Sequence, residues 1–444
     1  MQRIYDWAWV ETQITDTIDA WSRSATRAAR SGQRYSPKEQ QEREKAYDEG
    51  LQAVEQEARR APRTKGERLQ TQDRLVASFA RFSAAALDLE GDAVKLLTND
   101  FLPVGTKLAR WARRFDASLS MADIIQACRN AWTACGLQPL LGEPVAITPA
   151  ILGYSLLYPY SDNYLDQLDV SAEAKLRFSG RFRCRLRGER LSAADNRECA
   201  LWALIKLVEG QYSRTRYPQV FDCLLAIHRA QEESIEQPRS RDPCDDTAVL
   251  RVSCGKGGSS VLADACLAHG WLSEEEARFA FEWGVLLQLG DDLQDVREDT
   301  RRSAVTLFTR TAALGRPLDG LAVQLLNFGE EVGTRMDHLP NGTRMLKELL
   351  KMSWRSLIIR AVADSYEFFS TGFLEEAERC SPFRFEFLRA RQDRLASRQG
   401  LYPMLFNAFL EAREGDDDGR LLPDPRDCYL KADVDPAAMV GANE

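Results

Sequence analysis

Leu286-Leu287-Gln288-Leu289-Gly290-Asp291-Asp292-Leu293-Gln294-Asp295-Val296-Arg297-Glu298-Asp299 begins as an apolar helical run and turns acidic after Gly290. Asp291, Asp295 and Asp299 are spaced by four, and Asp292 precedes Asp295 by three, which is helical spacing. Gly290 lowers helix propensity by about 1 kcal/mol relative to alanine, a cost that makes sense where something approaches the backbone closely. The same pattern occurs 129 residues earlier (291 − 162), where Ile151-Leu152-Gly153-Tyr154-Ser155-Leu156-Leu157-Tyr158 leads into Asp162-Asn163-Tyr164-Leu165-Asp166-Gln167-Leu168-Asp169. Asp162, Asp166 and Asp169 fall at i, i+4 and i+7, one face of a helix. Pro159 would kink that helix just ahead of the acids. Stacked carboxylates repel by a few tenths of a kcal/mol per pair unless a cation neutralises them, and hard oxygen ligands suit Mg²⁺. The plainer reading of each acidic stretch is a solvated helix face; the oily run before it argues for a helix through the core. Two such helices facing each other across a bundle can clamp a diphosphate through bridging Mg²⁺.

Strand signals are scarce elsewhere, since β-branched and aromatic residues seldom alternate with polar ones. The expected fold is all-α, an antiparallel helical bundle with a central active-site cavity between the two acidic helices. Residues 1–65 read as a charged helical N-terminal appendage, with Ser36 to Arg43 opening a solvated helix and Ala61 to Gly66 a break. Val76, Phe79, Phe82, Ala86 and Leu87 then recur at helical spacing and begin the main domain, 66–420. The acidic, proline-broken stretch 421–444 reads as a poorly ordered tail. Ser120 with Asp123 and Ser273 with Glu276 read as capping boxes, and Thr148 with Pro149 as an N-cap followed by a first-turn proline. Gly136 and Gly270 read as helix stops.

The 444 residues suffice for one large helical domain with appendages. A net charge of −8 offers no electrostatic footprint for DNA or RNA, so no nucleic-acid partner is expected. The N-terminus lacks an uninterrupted apolar segment, and no stretch approaches the roughly 20 apolar residues of a membrane span. A soluble, cytoplasmic protein is expected. Ten cysteines without a CxxC pair, beside three histidines, read as reduced and mostly buried thiols rather than a disulfide or zinc framework.

With Gln288 before it and Arg301-Arg302 after it, the later motif resembles the second aspartate-rich motif of class I isoprenoid synthases. Gln288 to Asp295 is similar to the DDxxD stretch of trans-isoprenyl diphosphate synthases, and Asp295 to Asp299 to the DxxxD of squalene and phytoene synthases. Asp162 to Asp169 looks like the first acidic motif of squalene/phytoene synthases and of large bacterial terpene synthases related to tetraprenyl-curcumene synthase. Lys256-Gly257-Gly258-Ser259-Ser260 resembles the lysine-containing segment of prenyl synthases that contacts diphosphate. The resemblance covers roughly residues 120 to 310. It implies a bundle of the isoprenoid synthase type with Asp162, Asp166, Asp169, Asp291, Asp292, Asp295 and Asp299 holding a cluster of about three Mg²⁺ ions. Asp162, Asp166, Asp291, Asp295 and Lys256 would carry the chemistry.

Arg181, Arg183, Arg214, Arg301 and Arg302 are further candidates for the diphosphate, although a single arginine is more often a surface residue. Phe279, Trp283, Trp354, Phe368, Phe369, Phe406 and Phe409 lie at helical spacing and read as core, or as lining for a hydrocarbon cavity. The three histidines have no partner pattern. The compact double-arginine placement of chain-elongating synthases is not reproduced, no GxGxxG offers a seat for NADPH, and the NSE-type triad of common microbial terpene synthases is missing. The expected activity is a class I terpene synthase that ionises an allylic isoprenyl diphosphate with Mg²⁺, cyclises or rearranges the cation, and releases pyrophosphate. The alternatives are a prenyltransferase of the elongating or squalene/phytoene type, and a helical binding protein without chemistry. The sequence leaves a homodimer open.

Overall fold

The computed structural model describes residues 5–24, 33–59, 64–87, 89, 91–165, 167, 169–236, 245–397 and 422–425. In chain order the helices are α1 (Trp7–Ser24), α2 (Pro37–Ala58), α3 (Lys65–Leu87), α4 (Asp92–Lys95), α5 (Leu102–Phe115), α6 (Met121–Leu137), α7 (Pro149–Ser155), α8 (Asp162–Leu165), α9 (Ala172–Leu186) and α10 (Asn196–Gln211). They continue with α11 (Pro218–Glu236), α12 (Asp246–His269), α13 (Glu274–Gln294), α14 (Val296–Arg302), α15 (Leu307–Ala313), α16 (Asp319–His338), α17 (Arg344–Asp364), α18 (Thr371–Arg379) and α19 (Phe385–Ser397). The described residues contain no strand, and the fold is all-α. No described helix is long and apolar enough to cross a membrane.

Local chemistry sets most boundaries. Capping boxes of Ser120 with Asp123 and Ser273 with Glu276 open α6 and α13, and Thr148 caps α7 with Pro149 behind it. Gly270 ends α12 at φ 87°, a left-handed position that a side chain would strain. Gly136 behaves differently from the expectation. It stays helical, α6 runs on into a 3₁₀ turn at Gln138–Leu141, and Gly142, at φ 84°, supplies the stop.

The core is organised around α12, a helix with small or apolar residues on nearly every side, packed against α13, α11, α1 and α6. A helix apolar all round belongs at the centre rather than the surface. Glycines let α12 and α13 cross closely. A Cβ on Gly284 would lie 2.2 Å from the Gly257 carbonyl oxygen, and one on Gly258 would lie 2.4 Å from the Phe281 ring.

The region expected as an appendage divides. α1 is part of the main core: Val10, Ile14 and Trp21 are buried, the Tyr5 hydroxyl donates to the Leu272 carbonyl at 2.8 Å, and Trp21 meets Phe328 edge-on. The charge-rich N-terminal stretch as a whole hides a helix with only four charged residues among eighteen, whose apolar positions recur on one face, which is enough to seat it. α2 pairs chiefly with α3, reaches α19 through Tyr47 against Phe387, and reaches the turn before α19 through Tyr47 against Phe383 and the ion pair of Glu44 with Arg384. Four residues of the expected tail also dock. Leu422 packs against the core, the Pro423 carbonyl accepts from the Trp111 indole at 2.8 Å, and Asp424 pairs with Arg114. The rest of 421–444 lies outside the described residues, as do Phe406 and Phe409.

Candidate active site

Tyr154 on α7, Asp162 at the start of α8, Gln231 on α11, Lys256 and Ser260 on α12, and Gln288 on α13 line one small cavity of about 80 Å³. The chain reaches Asp162 through a turn that includes Pro159, so the oily α7 ends before the acids begin. Gln231 donates to one oxygen of Asp162 at 3.1 Å and Ser161 approaches the other at 3.4 Å. Lys256 is half-buried on the wall and makes no hydrogen bond or ion pair among the described residues. Tyr154 is held far above its ordinary pKa by burial, with the Asp264 carboxyl adding to it; the Ser260 hydroxyl bonds to it and opposes the shift.

From this cavity α13 leads to the second acidic group. Gln288 donates to one oxygen of Asp292 and Ser253 to the other, each at 2.8 Å, so Asp292 is a buried, fully partnered carboxyl. Burial pushes it up to about 6 against those two bonds, with Asp291 and Asp299 adding to the rise. Asp295 ends α13 and Asp299 lies one turn on in α14. Asp299 is raised to about 6 by burial and then by Asp295 and Asp291, and Asp295 is raised by burial and then by Asp291 and Glu298, with Arg129 of α6 opposing. The carboxylates of Asp291 and Asp299 make no hydrogen bond or ion pair among the described residues, although the charge of Arg302 opposes the rise in Asp299. This is a crowded carboxylate row that a cation would relieve, and its all-oxygen donor set fits Mg²⁺. As placed, no group of three or more His, Cys, Asp or Glu side chains among the described residues has metal-holding geometry.

Other expectations are corrected. The three-acid helical face at Asp162 does not form: α8 ends at Leu165 and Asp169 sits exposed in a bend before α9, while Asp166 lies outside the described residues. Lys256-Gly257-Gly258 is the middle of α12, and the space beside both glycines is filled by α13, leaving no backbone approach for phosphate there. Arg181 is bound bidentately to buried Glu198, both contacts at 2.7 Å. Arg214 pairs with Glu209 and lies over Phe221. Arg183 pairs with Glu232 along a separate groove of about 590 Å³ between α9 and α11. Arg301 and Arg302 are exposed, Arg302 paired with Glu298. None of the five arginines lines the cavity that holds Asp162 and Lys256.

Three features had no sequence signal. Arg129 stands near Asp295, Asp264 is buried with Asn130 as its hydrogen-bond donor at 3.3 Å, and His228, given no role, bonds to Ser179 beside Glu232. Each depends on helices far apart in the chain. Comparison with protein-family models, with characterised proteins and with solved structures gives no match for this chain.

Proposed function

We propose that the chain is a Mg²⁺-dependent class I terpene synthase acting on an allylic isoprenyl diphosphate. The observation that carries this reading is the half-buried Lys256, without a side-chain partner among the described residues, in the same cavity as Asp162 and Gln288, with the Asp291–Asp299 row beginning one turn of α13 beyond Gln288. A half-buried lysine in one cavity with a carboxylate, close along the fold to a crowded carboxylate row, suits a ligand that brings both a metal and an anion. Asp162, Asp291, Asp295 and Asp299 would hold Mg²⁺, which supplies the Lewis-acid charge that a departing diphosphate requires. Lys256 would meet the diphosphate oxygens as a point charge. Gln231 orients Asp162, and Gln288 with Ser253 fixes Asp292, while the carboxylates of the later row would draw together around the metal when the ligand arrives.

The 80 Å³ volume favours a second reading, a helical bundle without chemistry, because ligand pockets usually run to about 300 Å³ or more. The test is incubation of the purified protein and Mg²⁺ with allylic diphosphates of increasing length, with and without isopentenyl diphosphate. A hydrocarbon or alcohol from one substrate alone supports the synthase. A longer diphosphate formed only with the co-substrate selects a prenyltransferase. Absence of turnover, together with no Mg²⁺-dependent binding of pyrophosphate, selects the bundle without chemistry.

A further inference from the structure

Cys223 of α11 and Cys266 of α12 are both wholly buried, and their sulfurs are 3.1 Å apart. That is about 1 Å beyond a disulfide bond length, and the two side chains already point at each other. Two other buried thiols behave otherwise: Cys128 and Cys135 contact the backbone carbonyls of Gly105 and Ala146. We propose that Cys223 and Cys266 are a covalent modification site, a thiol pair that a two-electron oxidant converts to an intrachain disulfide joining α11 to α12. With hydrogen peroxide, one thiolate takes an oxygen to become a sulfenic acid and releases hydroxide, which the proton lost from that thiol turns to water. The second thiolate attacks that sulfur, forming the S–S bond and expelling a second hydroxide that its own lost proton turns to water; the two thiols lose two protons and two electrons.

The placement gives the bond a consequence. α11 carries Gln231 and α12 carries Lys256 and Ser260, so the cross-link ties together two walls of the cavity. Along the helix axes it lies roughly 12 Å from Gln231 and 15 Å from Lys256, close enough to prevent the helices from sliding and too far to intrude. Burial holds the Cys223 thiol protonated, which makes oxidation wait on a transient separation of the helices. The reaction is therefore slow in the native protein and accelerates near the melting temperature.

The experiment uses the full chain, fully reduced, then incubated with hydrogen peroxide or oxidised glutathione at about 10 °C below its melting temperature. Free thiols are alkylated under denaturing conditions and the peptides mapped. The expected result is a peptide pair joined through Cys223 and Cys266, two hydrogens lighter than its reduced parts, with a melting temperature raised by about 5 °C. Cys266→Ser should lose both the linked peptide and the thermal gain on oxidation. Complete alkylation of Cys223 and Cys266 in oxidised wild type, or linkage of either to another cysteine, overturns the proposal. The wild-type map decides the matter even if the variant folds poorly.

Discussion

Replacing Gly284 with alanine tests whether the glycines of α12 and α13 serve helix packing or ligand approach. The added methyl would lie 2.2 Å from the Gly257 oxygen, 2.8 Å from its carbonyl carbon and 3.0 Å from the Val261 Cβ. Two of these obstacles are backbone of the central helix, so relief requires α12 and α13 to part by on the order of 1 Å along their whole crossing. Overpacking costs about 1–3 kcal/mol where side chains can yield and more where they cannot, whereas removing a mid-helix glycine returns about 1 kcal/mol. The net expectation is a loss of about 2 kcal/mol or more, read as an earlier urea midpoint followed by far-UV circular dichroism. Gly180→Ala is the matched control, because a Cβ there meets nothing within 4 Å. It should stabilise by up to about 1 kcal/mol. If Gly284→Ala is as stable as Gly180→Ala, the close crossing is wrong and the glycines need another explanation.

Lys256→Ala should lower catalytic efficiency by about ten- to a hundredfold, the loss of one charge-assisted contact, and weaken Mg²⁺-dependent inhibition by pyrophosphate while helicity stays unchanged; equal inhibition of both proteins would remove Lys256 from the site. Asp162→Asn should abolish most turnover with the same helical content, which steady-state kinetics and circular dichroism check together. Glu282 is buried beside Arg335, with its pKa raised to about 7 by burial against that cation and Arg278. Its carboxyl stays protonated in the folded chain between about pH 4.5 and 7, where the unfolded chain has already released the proton. Stability is thus complete below about 4.5 and declines by about 1–3 kcal/mol as pH rises through 7. Glu282→Gln should flatten that decline in denaturant titrations across the window. Deleting residues 422–444 should lower the melting temperature by about 1–3 °C, since Leu422, the Trp111–Pro423 bond and the Asp424–Arg114 pair are lost; an unchanged value would show that these contacts add nothing.

Helices and their ends were legible because their causes are local. Ser120 with Asp123, Ser273 with Glu276, Thr148 with Pro149, and Gly270 each act within a few residues of one helix end. Gly136 misled because a glycine inside a helix and one at its end look alike until the φ angle is known. The one-face reading of Asp162, Asp166 and Asp169 presumed a continuous helix, which ends at Leu165. Lys256 and Asp162 were picked out individually, and they share a cavity; Arg181 and Arg183 pair with Glu198 and Glu232 of other helices, partners that leave no trace in spacing, and Arg214 pairs with Glu209 five residues before it. Charge counts over the whole N-terminal stretch likewise hid α1, whose apolar positions, among them Val10, Ile14 and Trp21, are what seat it.

The docking of α1 has a consequence for how the chain is made. Tyr5 bonds to a carbonyl 267 positions later, and Ser24 to Gln324 a further stretch on. At about 5–20 residues per second, the ribosome needs roughly 13–53 s to deliver Leu272 after Tyr5 has formed (267/20 to 267/5). For that interval an amphipathic helix bearing Val10, Ile14 and Trp21 has no completed surface to cover it. Nascent chains should therefore be most exposed to chaperones and to mutual sticking before α12 and α16 emerge, and slowing translation ahead of those helices should lower the soluble yield more than slowing it after them.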